Sequence, residues 1–411
     1  MDALSWEERG MASLTPPRMP KVDLSHYKGR EPAYIKHCLL EEYLPDLAYK
    51  VGSKWDSLAY IDGFAGPWQS NAADYADSSF GIAVEALRQC QIGLRATRKR
   101  ELPIECILVD QDRIAFSRLQ KFAAENTQHG FGVHALNGDF VENIPVINQI
   151  LRERIQNPFR FIFLDPKGWA DIPMLEMKPF LKGRSHEVLI NLMTRHIIRF
   201  LDEPDRAASY NNLFGREGVL DTLCRESLKR APAYERAAEA VREYGKSLRD
   251  LCGFKYVSSA VILEPDEFSI RYFLVYASNH PMGIEVFKAA EIKAATLQET
   301  VRYETQVRKT KQPALVFDNA PPSSRLSSTL RTFYSEMAKE KIGELFRESR
   351  AGAHIPYADV FCEAMAYPLF TPRDLVSWLE TLEPGIRLVP QANKKVSHFK
   401  YDSVLVVNPQ R

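Results

Sequence analysis

The 411 residues contain no run of about eighteen apolar residues, so no segment reads as a membrane span. Cysteine is scarce. Cys38, Cys90, Cys106, Cys224, Cys252 and Cys362 include no CxxC pair, and none lies at metal-ligand spacing from a histidine. A disulfide framework and a zinc site are therefore not expected, and the six read as reduced thiols of a cytoplasmic protein. The opening MDALSWEERGMASL carries acidic residues and no apolar core, unlike a secretory signal. An excess of one charge is missing too. Fifty-four Lys and Arg stand against 53 Asp and Glu, a net of +1. That excludes a uniformly basic coat, and any nucleic-acid contact must be local. There is no GxGxxG fingerprint, which argues against a dehydrogenase, and no internal repeat.

What is present is ample core material: 45% hydrophobic, 26% charged and 11% aromatic residues. The length implies two or three domains. Residues 1–32 read as an irregular leader broken by Pro16, Pro17 and Pro20. YIKHCLLEEYLPDLA (34–48) has the three-and-four spacing of an amphipathic helix. Then strand-length apolar runs alternate with helical stretches. LAYIDGF (58–64), IECILVD (104–110), GVHALNGD (132–139), FRFIFLD (159–165) and EVLINLM (187–193) are the strands. Their near-continuous apolar character predicts a parallel sheet covered on both faces. KYVSSAVIL (255–263) and RYFLVYASN (271–279) predict an antiparallel hairpin, giving seven strands. The helical, charge-rich stretch 200–250 is expected as a lid or substrate-binding insertion. After a linker marked by Pro-Pro-Ser-Ser, residues 327–411 read as three helices and two short β runs.

Four features fall at carboxyl ends of the predicted strands, where open α/β sheets hold ligands. Asp62-Gly63-Phe64-Ala65-Gly66-Pro67 comes after the first; its glycines permit a tight turn and close approach of a ligand. Asp110 ends the second, where an acceptor suits ribose hydroxyls. Gly138-Asp139-Phe140 comes after the third, offering an acid and a ring for adenine. Asp165-Pro166-Lys167-Gly168-Trp169 closes the fourth. In this order they outline one nucleoside-shaped crevice.

The constellation resembles class I S-adenosylmethionine-dependent methyltransferases, an α/β Rossmann-like fold whose seven-stranded sheet has an antiparallel last strand. More closely, YIDGFAGP, FIFLDPKGW, EVLINLM with IIRFL, and YFLVYASNHPMGIEVFK resemble the three-Cys-motif partner protein family, over roughly residues 33–317. Members often carry a C-terminal winged-helix-like module, and the family is named for a separately encoded partner with three cysteines. The resemblance implies that Asp62, Gly63, Phe64, Ala65 and Gly66 line the methionine half of S-adenosylmethionine. It assigns Asp110 to the ribose and Asp139 with Phe140 to the adenine. Asp165-Pro166 stands where amino-group methyltransferases have an Asp/Asn-Pro-Pro-aromatic motif, whose acceptors aim the target nitrogen's lone pair at the methyl. The sequence departs from that pattern twice. Trp68 occupies a position expected to be small, and Lys167-Gly168-Trp169 replaces the second Pro and the aromatic. Trp169 is then expected to stack on a flipped base, or Lys167 to meet a phosphate.

Asn191, with Arg195 and His196, either reaches the crevice from strand five or forms a solvated polar turn. Lys36 and His37 either face the cofactor mouth or form a helix-surface pair, the second reading being favoured, and Asp74 and Asp77 read as loop solvation. In the C-terminal module, Thr371 and Pro372 mark a helix start, and Arg373 would lie on the recognition helix of a winged-helix domain. Lys394, Lys395, His398 and Lys400 would lie on the wing, where phosphates are commonly met. Residues 301–411 hold 16 basic and 12 acidic residues, a mild basic bias. Two functions are open: a methyltransferase acting on DNA or RNA, or a catalytically degenerate member of the fold working with a partner protein in nucleic-acid processing or defence.

Overall fold

A computed structural model describes residues 22–382 apart from 67–69, 73, 202, 204–205, 311–323 and 351, together with 386–389 and 404–407. The central sheet forms from α1 (Glu31–Val51), β1 (Leu58–Asp62), α2 (Ser79–Arg98), β2 (Ile104–Asp110), α3 (Arg113–Asn126), β3 (Phe131–Asn137), α4 (Phe140–Arg154), β4 (Phe159–Leu164), α5 (Met174–Leu181) and β5 (His186–Leu192). Five helices come next: α6 (Thr194–Arg199), α7 (Ala207–Phe214), α8 (Val219–Leu223), α9 (Glu226–Lys229) and α10 (Ala233–Asp250). The sheet is completed by β6 (Tyr256–Leu263) and β7 (Ile270–Ser278), with α11 (Pro281–Thr310) after them.

The strand order is β3-β2-β1-β4-β5-β7-β6. Strands β1 to β5 pair in parallel, and β7 runs antiparallel to both β5 and β6. The chain is thus an α/β protein with the seven-stranded sheet and antiparallel last strand that the class I methyltransferase fold requires. The expected antiparallel hairpin is appended at the β5 edge of the parallel strands, with β7 against β5 and β6 outermost. The chain order reverses direction between β1 and β4, which opens a crevice outside their carboxyl ends.

Alternation of period two builds a core on each face. Leu58, Tyr60, Cys106, Leu108, Phe161 and Phe163 turn toward α1, α2, α3 and α11. Ala59, Ile61, Ile107, Val109, Ile162 and Leu164 turn toward the opposite layer, which includes α4, α5 and α10. The stretch 200–250 belongs to that second layer: Tyr210, Phe214, Tyr244 and Leu248 are fully buried there with Val257, Phe273 and Val275. None of its described residues lines the crevice, so it is a cover for the sheet rather than a lid. Most of its charges are external, though Glu239 and Glu243 are buried in ion pairs with arginines, and α10 buries Ala237, Ala240, Tyr244 and Leu248 along one stripe.

The C-terminal part comprises α12 (Ser324–Glu348), β8 (His354–Pro356), α13 (Tyr357–Ala364), α14 (Pro372–Thr381), β9 (Ile386–Val389) and β10 (Val404–Val407). A short strand, β8, thus joins the two expected β runs in a sheet of order β8-β10-β9. At α14, Thr371 and Asp374 form a reciprocal capping box with Pro372 in the first turn. Lys394, Lys395, His398 and Lys400 lie outside the described residues. No helix among the described residues is long and apolar enough to cross a membrane.

This part is fastened to the sheet by polar contacts, one at the surface and others buried. The Tyr256 hydroxyl donates to Asp359 at 3.0 Å. Lys288 and Glu291, one turn apart on α11 and 1% and 2% exposed, form an ion pair. Lys288 also donates to the Tyr367 carbonyl (3.0 Å), and Glu291 accepts the Leu369 N–H (2.7 Å). Leu369 lies at φ +62, a left-handed conformation costly for a residue with a Cβ, and these bonds hold it there. Glu291→Ala leaves Lys288 as an uncompensated buried charge, which costs about 3–5 kcal/mol. In urea denaturation it should lower stability more than the paired replacement Lys288→Met/Glu291→Leu does.

Candidate functional site

A crevice of about 870 Å³ opens at the carboxyl ends of β1 to β5. Gly63, Phe64, Gly66, Asp110, Asp139, Phe140, Asp165, Pro166, Lys167 and Asn191 all line it, so ten residues read from the sequence meet at one place.

The turn after β1 is fixed to its neighbours. Gly63 N–H donates to the Phe163 carbonyl (3.0 Å) and Ala65 N–H to that of Val109 (2.9 Å). A Cβ on Gly63 would come within 2.7 Å of Leu164 Cδ2 and 2.9 Å of Phe140 Cδ2, so a side chain would force the packed floor apart. Asp62 and Ala65 stand behind the turn and are absent from the crevice lining. Asp62 is fully buried; it accepts from Phe64 N (3.1 Å), Ser79 Oγ (2.6 Å) and Tyr60 Oη (3.2 Å). Its part is to hold the turn. Burial pushes its carboxyl up to about 6, against hydrogen bonds that favour the charged form.

At the end of β2, Asp110 lines the crevice and accepts from Asp112 N at 2.7 Å. The Gly138 N–H and the Asn137 side chain both donate to the Asp110 carbonyl, at 3.1 and 3.0 Å, which binds the β3 turn to the β2 end. Asp139 caps α4 by accepting from Val141 N (2.7 Å) and Glu142 N (3.3 Å), while still lining the crevice. Phe140 packs between Phe64 (6.3 Å) and Phe180 (5.9 Å), forming an apolar floor.

Asp165 holds the centre. One carboxylate oxygen accepts from Asn191 Nδ2 at 2.6 Å, and the other is paired with Lys36. Since the carboxylate can only accept, Asn191 must present Nδ2 to it, which leaves Oδ1 as its remaining acceptor. That Oδ1 is buried with no donor among the described residues. Asn191 therefore reaches the crevice. Arg195 does not; it pairs with Glu264 (2.7 Å), whose side chain does line the rim.

Sequence reasoning missed Asp77 and favoured the wrong alternative for two more residues. Lys36 and His37 take the crevice-facing alternative rather than the helix-surface one: each is 7% exposed and lines the crevice, because α1 is buried nearly all round. His37 accepts or donates to the Tyr27 hydroxyl at 2.8 Å, and burial lowers its pKa well below the ordinary value. Asp77, expected as loop solvation, is 2% exposed and gathers Asn71 N (2.7 Å), Ser70 Oγ (2.5 Å) and Arg30 Nη2 (3.2 Å). Burial disfavours its charge, yet hydrogen bonds from Ser70, Asn71 and Ala72 outweigh it and leave the pKa lowered. The signal present was polar residues inside an otherwise apolar helical run, YIKHCLL.

One expectation needs correction. Trp169 is no stacking platform: it is 9% exposed in the core, edge-on to Tyr210 (4.7 Å) and beside Phe200 (6.3 Å). The turn after Pro166 directs that large ring under the sheet, where apolar burial favours it. Arg373 is exposed at the start of α14 and is not part of the crevice. Trp68, Lys394 and Lys395 lie outside the described residues.

No sequence-family profile and no curated protein matches the chain. Solved structures resemble it distantly. A Legionella pneumophila protein of family DUF519 is 12% identical, with 68% of this chain and 92% of that one covered and a TM-score of 0.35. A DUF574-family protein from Streptomyces avermitilis is 8% identical, covering 62% and 88%, at 0.31. A Staphylococcus aureus "putative caffeoyl-CoA O-methyltransferase" is 10% identical, covering 57% and 82%, at 0.27. Similarities this remote carry no functional weight, and the site's own chemistry must supply it.

That chemistry suits a cationic nucleoside. Carboxylates outnumber Lys and Arg eight to four along the lining, so the crevice concentrates positive ligands. An acid at the β2 end, a glycine turn, an aromatic floor and an amide acceptor with no donor among the described residues are the groups it offers a ligand.

Asp62 gives the turn a pH signature. Its folded pKa lies above the unfolded value of 3.8, so between about pH 4 and 6 the native state keeps a proton that the unfolded chain has released. Raising pH through that window costs stability, up to about 3 kcal/mol from this group alone. Melting curves of Asp62→Asn should lack this component, so the variant gains on the native chain from pH 4 to 6 and runs parallel above it.

Proposed function

We propose that the chain is an S-adenosylmethionine-dependent methyltransferase that modifies an amino nitrogen of a nucleic acid. The observation that carries this reading is the pair Asp165–Asn191 at the ends of β4 and β5, with Asn191 Oδ1 buried and without a donor among the described residues. When bound, S-adenosylmethionine supplies an electrophilic methyl group. Gly63, Phe64 and Gly66 would hold its methionine half, with Asp62 and Ala65 supporting the turn from behind. Asp110 would accept from the ribose hydroxyls, and Asp139 with Phe140 would meet the adenine.

The target nitrogen's hydrogens would be accepted by Asp165, by Asn191 Oδ1 and by the Pro166 carbonyl. A carboxylate offers about four acceptor positions, and Lys36 and Asn191 take one each, so Asp165 retains capacity. Lys36 acts by fixing the carboxylate's orientation, and holding the nitrogen's lone pair in line is the main catalytic contribution. Lys167, also on the lining, suits a substrate phosphate.

The helix–strand–helix–helix–strand–strand order of the C-terminal part supports a winged helix that docks the nucleic acid, with Arg373 exposed on α14. Lys394 and Lys395 would add contacts from the wing. The resemblance to three-Cys-motif partner proteins supports a working association with a separately encoded three-cysteine protein. Six free thiols support a reducing, cytoplasmic setting.

A second reading is favoured by one observation, the engagement of Asp165 by Lys36. It makes the chain a catalytically degenerate interaction protein. A labelled methyl-donor assay against DNA, RNA and protein pools separates the two. Transfer to nucleic acid is expected, reduced at least ~100-fold by Asp165→Ala and by Asn191→Ala with donor affinity retained. Donor binding without transfer to any pool would support the second reading, and transfer to protein alone would overturn the choice of substrate.

A further inference from the structure

A second concavity, a groove of about 660 Å³, lies at the opposite edge of the sheet, at the amino ends of β1, β4 and β5. With strands of five to seven residues, it is roughly 20 Å from the crevice. Lys54, Arg152, Arg160, Lys182 and Arg184 line it together with Trp55. Its only carboxylate among the described residues, Asp56, is taken by Arg100 at 3.2 Å. None of the five cations has an ion-pair partner among the described residues. Elsewhere in this chain Arg195, Arg216, Arg225 and Arg242 are each paired with a glutamate.

Arg160 is the most informative. It occupies the second position of β4 and is half-buried, with its guanidinium 5.8 Å from the Phe180 ring and 3.4 Å from Asn148 Oδ1. Burial works against its charge, and no anion among the described residues offsets that cost. His186 beside it supplies none: Nε2 donates to the Leu181 carbonyl at 2.6 Å, and burial lowers the ring's pKa. Lys182 and Arg184 flank Gly183, whose φ of +144 suits glycine and whose Cβ position lies 3.3 Å from the His186 ring. The loop conformation that sets these two cations at the groove is therefore built in. Trp55 packs on Phe159 at 5.6 Å and adds an aromatic surface to the same groove.

Unpaired cations around a half-buried guanidinium, with an aromatic among them, make a site for phosphates joined in a chain bearing stacking rings. We propose that this groove binds the phosphate backbone of a nucleic-acid strand, separately from the crevice. It goes beyond the methyltransferase reading and rests on it only in preferring a nucleic-acid strand to a free polyphosphate.

The test is fluorescence anisotropy of labelled single-stranded DNA and RNA with the full chain across a salt series. Lys182 and Arg184 are exposed, so Lys182→Glu/Arg184→Glu leaves the core untouched. The double variant should bind at least ~tenfold more weakly at about 0.1 M salt. The slope of log affinity against log salt should fall by about 1.4, roughly 0.7 for each lost phosphate contact. Arg118→Glu/Lys121→Glu, the same charge change on exposed positions of α3, should leave both unchanged. Equal losses in the two variants, or no strand binding by the native chain, would overturn the groove assignment. Binding of inorganic tripolyphosphate but not of either strand would overturn the nucleic-acid identity. Calorimetry with S-adenosylhomocysteine keeps the two proposals apart: its binding should survive Lys182→Glu/Arg184→Glu, and its absence from the native chain would sink the crevice reading alone.

Discussion

The crevice is organised around one contact, the ion pair between Lys36 and Asp165 with Asn191 bound to the other carboxylate oxygen. It joins three segments far apart in sequence: the helix that precedes the sheet, the end of β4 and the end of β5. Lys36 is nearly buried, and removing either charge would leave the other poorly solvated. The pair therefore fixes α1 as a wall of the crevice, with Tyr272 Oη donating to the Pro32 carbonyl at 2.8 Å to secure the same helix. Once these bonds are made, an acceptor is left over: Asn191 Oδ1, held rigidly beside a carboxylate. Preorganised acceptors of this kind suit the orientation of a nitrogen nucleophile.

The concavities at the two ends of the parallel strands are of opposite character. Acidic residues dominate the lining at the carboxyl ends of the parallel strands, and basic residues dominate it at their amino ends. A net charge of +1 conceals this separation, since the two ends nearly cancel in the total. The acid-rich end favours a cationic cofactor, and the base-rich end favours a polyanion. On the two proposals taken together, a nucleic-acid strand would be gripped at a distance from the place proposed for its modification.

Much of this fold is legible in the sequence because burial leaves a pattern. Strands covered on both faces must be apolar throughout, so IECILVD and FRFIFLD stand out, and the crevice residues sit directly after such runs. Asp110, Asp139 and Asp165 are recognisable by that position. The residues that escape share a cause as well. Lys36 acts through Asp165, far along the chain, and His37 and Asp77 through side chains of the surrounding loops, contacts that hydrophobic periodicity does not report. Trp169 escapes because the turn after Pro166 decides which side of the sheet its ring takes, and a chain of letters does not show that. The stretch 200–250 resembles a lid in sequence because its many charges, Glu239 and Glu243 buried among them, obscure the apolar stripe of α10. The place of β7 between β5 and β6 is a pairing choice, invisible to hydrophobic periodicity.

The proposed nucleoside site at the carboxyl-end crevice, built for S-adenosylmethionine, is tested most directly by titration calorimetry of the native chain with S-adenosylhomocysteine. A single-site heat is expected, weakened at least ~tenfold by Asp110→Ala, since that carboxylate would hold the ribose. No heat from a folded native chain, or an affinity indifferent to Asp110→Ala, would contradict it.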